Sequence, residues 1–136
     1  MAADQIVRPE HTAHTRGGTM LVMEKMSLTA LARQQLAAAR TASAGRSAHT
    51  VYGGHEHNLR QTLIALVDGT GLDEHESPGE ATLQVIEGRV KLANSEASWE
   101  GSPGDLLVIP RTRHSLHALA DSVVLLTVVK PVGPHA

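Results

Sequence analysis

From Thr50 onward the chain is cut into short runs of β-branched and aliphatic residues, each ended by turn chemistry, and this pattern limits the fold more than any other feature. NLRQTLIALV ends at DGTG, ATLQVIE at Gly88, RVKLA at Asn94, ASWE at GSPGD, LLVIP at RTR, HSLHAL at AD, and SVVLLTVV at Lys130-Pro131. Segments of this length and spacing predict an all-β sandwich or barrel spanning about residues 50–130. One helix precedes it. Residues 27–44, SLTALARQQLAAARTASA, offer Ser27 as N-cap, a narrow apolar stripe at Leu28, Leu31, Ala32 and Leu36, and Gly45 as a stop. A stripe that narrow predicts a surface helix covering one edge or face of the strands. Residues 1–26 follow neither period and are expected to form a flexible tail, in which Met1, Met20, Met23 and Met26 are alternative starts and His11 and His14 are solvated.

Composition narrows the function. The chain has no Phe, one Tyr (Tyr52) and one Trp (Trp99), so a pocket must be walled by aliphatic side chains rather than by stacking rings. A net charge of −2, from 12 basic and 14 acidic residues that are scattered, gives no nucleic-acid footprint. The absence of cysteine removes disulfides, thiolate nucleophiles and Cys-based metal sites. No run is long and apolar enough for a signal h-region or a membrane helix, so a cytoplasmic protein with no membrane partner is expected. GxSxG, P-loop, GxGxxG and HExxH signatures do not occur.

Two stretches carry a family likeness. GTGLDEHESPGEATLQVIEG and, after a hairpin, GDLLVIPRTRHSL resemble the paired motifs of the cupins, over roughly Leu59 to Val129. The resemblance implies a small antiparallel β-barrel or jelly roll, often a homodimer, with one divalent metal held inside by three His and one Glu. In the first motif Gly69, His75 and Gly88 fall in place, but Ser77 stands at the second His position and Ala81 at the Glu position, with Glu80 one residue early. In the second motif Gly104 and Pro110 fit, Thr112 replaces a glycine, His114 arrives one residue early, and the closing Asn position is Ala118.

Strand side chains alternate between faces, so the one-residue offset turns Glu80 away from the implied metal position, while Ala81, Leu83 and Val85 form the opposite, apolar set. His75 and His114 are then the surviving metal-ligand candidates. A third ligand is sought in His55 or His57 of GGHEHN, whose spacing puts both on one strand face, or in Glu80 if a bulge returns it inward. His117 falls on the other face from His114. Equally, His75 and His114 can hydrogen-bond to each other, to Ser77 or to water, His55 and His57 can be a solvated loop, and the basic turn Arg111, Thr112, Arg113 can be ordinary exposed charge or can pair with an anionic group.

Three functions follow from this reading. The first is a small-molecule-binding cupin-like module or sensor without a complete metal site, its pocket formed by His75, Ser77, Ala81, Leu83, Val85 and His114. The second is a metal-dependent enzyme of the oxygenase or isomerase type, with Fe, Mn, Zn or Ni held by His75, His114 and a third ligand. The third is a structural or regulatory dimer. The apolar last strand SVVLLTVV is a physical reason to expect a partner or the helix to cover it.

Overall fold

Strands that are apolar on both faces must be covered on both, and SVVLLTVV is the clearest case. A computed structural model, which describes residues 23–76 and 79–131, places it at the centre of the larger of two antiparallel sheets. The elements run α1 (Leu28–Thr41), β1 (Arg46–Tyr52), β2 (Leu59–Leu66), β3 (Gly71–His75), β4 (Glu80–Glu87), β5 (Val90–Ala93), β6 (Ser98–Gly101), β7 (Leu106–Val108), β8 (His114–Ala118) and β9 (Ser122–Val129). One sheet has the order β1-β2-β9-β4-β7 and the other β3-β8-β5-β6. The two face each other as a jelly roll.

Period-2 alternation divides the apolar residues into two cores. Ile64, Ala81, Leu83, Val85, Leu92, Leu116, Val124 and Val128 fill the space between the sheets. Leu63, Ala65, Val123 and Leu125 point to the outer face of the larger sheet, where Leu31, Ala32, Leu36 and Ala39 of α1 cover them. The helix is thus held by the sheet it shields, as its narrow stripe predicts. No helix among the described residues is long and apolar enough to cross a membrane.

The helix begins where expected, with the Ser27 hydroxyl accepting the Ala30 N–H at 3.0 Å, but it ends at Thr41 rather than at 44. Ala42 is already extended, its N–H bonded to the Ala38 and Ala39 carbonyls, and the chain needs residues 42–45 to turn so that Arg46 can pair with Leu66. The β structure therefore starts four residues earlier than the predicted 50. The sequence RSAHTVY lacks clean alternation because β1 is an edge strand, with Ala48 and Thr50 exposed and a register irregularity between Thr50 and Tyr52. The strand GLDEH, too, lies where turn residues dominate the sequence. The expected flexible tail lies mostly outside the described residues, as do His11 and His14; of its described end, Glu24 and Met26 border a hollow against β1 and β2.

The sheets do not close into a barrel through hydrogen bonds. Between the edges of β1 and β3 lies a cleft of about 300 Å³ bordered by Arg46, Ala48, Ile64 and Leu72, where one Arg46 Nη1 donates to the Gly71 carbonyl at 3.2 Å. At the opposite end of the hairpin geometry, Gly88 has φ +82°, and a Cβ there would stand 2.3 Å from the Asp121 carbonyl oxygen. That close approach lets the buried Ser122 hydroxyl accept the Arg89 N–H at 3.0 Å and donate to the Ala120 carbonyl at 2.7 Å.

Asp121 ties three segments together. Its carboxylate accepts the Asp68 N–H at 2.9 Å and the Arg40 guanidinium at 2.9 and 3.1 Å, and these bonds, that from Asp68 first, hold its carboxyl below its usual pKa. A depressed folded-state pKa gives stability that is present above the unfolded pKa and is lost as pH falls through the folded one. Asp121→Asn is therefore expected to lower Tm by a few degrees at neutral pH, with the gap from the parent closing below about pH 4 in thermal melts.

Candidate functional site

The residues singled out by the motifs arrive on neighbouring strands. His75 ends β3, His114 begins β8, and the antiparallel ladder makes them direct cross-strand partners. Their rings lie 4.6 Å apart, centroid to centroid, tilted by 59°. His114 points inward with Leu116 and Ala118 and is 3% exposed, while His75 is open to solvent at the end of the sandwich. His117 is exposed on the other face.

Each ring is oriented by the backbone carbonyl two residues before it. His114 Nδ1 lies 2.9 Å from the Thr112 carbonyl oxygen, and His75 Nδ1 lies 2.9 Å from that of Asp73. A carbonyl only accepts, so both Nδ1 atoms carry the proton, and in the neutral form of each ring Nε2 is the acceptor. Thr112, which stands where the motif has glycine, and Asp73 are thus the backbone groups that fix the pair. A residue-type pattern gives no signal for such carbonyl partners.

The space behind the pair is small. His75 and His114 share with Leu72, Leu83, Leu92, Ile109, Leu116 and Leu126 the lining of a cavity of about 30 Å³. That is room for about one water, whereas small-molecule pockets measure roughly 300–1,000 Å³. Ala81 and Val85 point inward from β4 within the same core but do not line this cavity, and Ser77 lies outside the described residues. Leu92, Leu116 and Ile109 complete the wall; their alternation within RVKLA, HSLHAL and LLVIP was the available sign that they face inward.

The three candidates for a third ligand are directed elsewhere. Glu80 is exposed and pairs with Arg111 at 3.5 Å. His57 packs edge-on against Tyr52 at 5.2 Å and borders the hollow on the helix side of the larger sheet. His55 and His57 both lie in the β1–β2 turn, their carbonyls accepting from Arg60 at 3.5 and 3.0 Å. Among the described residues no group of three or more His, Asp or Glu side chains could hold an ion. Arg113 pairs with Glu74 at 3.5 Å, so both arginines of the basic turn are matched by carboxylates on the facing rim. Catalytic zinc takes three protein ligands and non-haem iron two His with a carboxylate, so the described donor set of two imidazoles does not fit the metal centre that the resemblance implies.

The two-sheet jelly roll that carries this pair is a fold that solved structures share. A conserved protein of unknown function from Streptococcus pyogenes is 25% identical, with 66% of this chain and 78% of that one covered at a TM-score of 0.59. A cupin superfamily protein from Desulfitobacterium hafniense is 15% identical, covering 63% and 78% at 0.58. An RmlC-like cupin from Desulfovibrio desulfuricans is 21% identical, covering 85% and 97% at 0.54. No family model and no curated protein matches the sequence. The chain has the cupin fold.

The unequal burial of the two rings has a measurable consequence. His114→Ala is expected to cost about 2–4 kcal/mol, since it opens a cavity and strands the Thr112 carbonyl. His75→Ala is expected to stay within about 1 kcal/mol of the parent, as an exposed substitution does. Urea denaturation of the two variants checks both values.

Proposed function

We propose that this chain is a non-catalytic binding module of the cupin fold, in which the His75–His114 pair receives the hydrogen-bond-donating end of a small molecule at the open end of the sandwich. The observation that carries the reading is that both rings, 4.6 Å apart between centres, turn Nδ1 to a backbone carbonyl, of Asp73 and of Thr112, which leaves Nε2 of each as the acceptor. A donor group such as an amide, amine or hydroxyl can bridge them. The cavity behind admits only the tip of a ligand, so the rest lies across the rim, where the Arg113–Glu74 and Arg111–Glu80 pairs present both signs of charge. Recognition by a few convergent polar groups against an aliphatic wall is the ordinary design of small-molecule sites.

A metal-dependent enzyme is the second reading. It is favoured by the same geometry, because an imidazole whose Nδ1–H is bonded to a carbonyl is oriented as a metal ligand through Nε2. It needs a further protein ligand, and the placements of Glu80, His55 and His57 do not supply one.

Long-range 1H–15N spectra of the untagged protein test both. The expected result is the Nδ1–H tautomer in both rings, with Nε2 resonances that shift on titration with small amides, amines or alcohols in the parent and not in His75→Gln or His114→Gln. Stoichiometric Fe, Mn, Zn or Ni in the purified protein, lost in His114→Ala, overturns the non-catalytic reading.

A further inference from the structure

A hollow of about 750 Å³ lies on the helix side of the larger sheet, outside the sandwich and apart from the histidine pair. Its volume falls within the roughly 300–1,000 Å³ of small-molecule pockets, as the inner cavity of about 30 Å³ does not. Most of its lining is apolar. Met26 comes from the stretch that leads into α1, Leu28 from the first turn of the helix, Leu59 from β2 and Leu125 from β9. An isolated β-bridge at Lys25 and the Ser27 cap on the Ala30 N–H at 3.0 Å hold that leading stretch in place, and Glu24 lines the hollow from it.

Three other groups at the hollow suit one kind of partner. The Glu24 carboxylate takes part in no ion pair among the described residues, and no described Lys or Arg lines the hollow. Gln61 gives its Nε2 proton to Thr127 Oγ1 at 3.1 Å, which leaves Oε1 as an acceptor. The Tyr52 ring is half-exposed and braced by the His57 ring at 5.2 Å and 68°, and the face of such a ring attracts cations. A carboxylate, an amide oxygen and an aromatic face together call for a positively charged hydrogen-bond donor. The hollow of about 480 Å³ at the β7 end of the same sheet differs, because its carboxylate, Glu80, is already matched by Arg111 at 3.5 Å.

We propose that this hollow is a second binding site, for a small molecule with an apolar body and one protonated amine. The ammonium group meets Glu24, Gln61 Oε1 and the Tyr52 ring, and the body covers Met26, Leu59 and Leu125. Met26 and Leu59, 36% and 41% exposed, then leave water, which is the apolar share of the binding energy. The amine sets the selectivity. An anion is repelled by Glu24, and a neutral alcohol satisfies Gln61 but leaves the carboxylate without a counter-charge. The site shares no residue with the His75–His114 pair and stands whether or not that pair binds a ligand.

The test uses the full chain, untagged, with n-hexylamine, n-hexanol and n-hexanoate as probes. Methyl resonances of Met26 and Leu125 report this hollow and Nε2 resonances of His75 and His114 report the pair, so either site can fail alone. The amine is expected to shift the two methyl signals with a dissociation constant about five- to tenfold below that of the alcohol, the scale of an exposed ion pair with a cation–π contact, and hexanoate is expected to bind most weakly. Glu24→Gln, with an unchanged far-UV spectrum, is expected to bring the amine to the level of the alcohol, and Glu24→Lys to invert the order of amine and hexanoate. Methyl signals that none of the probes moves, hexanoate binding as tightly as the amine, or an amine preference that survives Glu24→Gln overturns the proposal. So do Met26 and Leu125 signals that shift with protein concentration alone, which assign the hollow to a second copy.

Discussion

The pairing of β9 with β2 on one side and β4 on the other is the interaction on which the rest depends. β9 has eight residues, and its side chains alternate between two separate cores: Val124, Leu126 and Val128 face the smaller sheet, while Val123 and Leu125 face α1. Neither core forms without this strand at the centre of the sheet. The helix, whose apolar stripe is too narrow to fold alone, is stable because the outer side of β9 and β2 supplies its other half. Inward, the same strand backs the wall against which His114 and the aliphatic cavity residues pack.

The histidine pair is placed by the backbone on either side of it. Strand register brings His75 and His114 together, and the backbone carbonyls of Asp73 and Thr112, each two residues earlier in the chain, take the Nδ1 protons. Neither feature requires a bound ion. The interior beside the pair is filled by Leu and Ile side chains, to the point where about one water fits. What the fold contributes here is a strand register that sets two imidazoles side by side, one buried and one exposed; a fold of itself does not fix their use.

Much of this was legible in the residues. Turn chemistry placed seven of the nine strands, and alternation along ATLQVIE assigned Ala81, Leu83 and Val85 to the interior and Glu80 to the outside, where Arg111 holds it. The two strands that escaped, β1 and β3, are edge strands with exposed polar residues, so neither burial pattern nor composition marks them. The separation of His55 and His57 from the pair was equally hidden. Their spacing fits one strand face, but Gly53 and Gly54 take positive φ and carry them into a turn against Tyr52. The fullness of the cavity was also out of reach, since packing between two sheets depends on distances that a one-dimensional pattern does not contain.

The gap between β1 and β3 is a seam without ladder hydrogen bonds that reaches the inner core. The two sheets are joined by turns and by interlocked aliphatic layers, and along this seam no ladder bonds cross; Arg46 to the Gly71 carbonyl and, at its end, Thr70 Oγ1 to the Gly45 carbonyl at 3.3 Å reach over. Parting the seam breaks none of the β-sheet hydrogen bonds and uncovers Ile64 and Leu72, which belong to both the cleft and the inner cavity. The sandwich is in this sense open along one lip, and the two residues that line it are also walls of the cavity that His75 and His114 share.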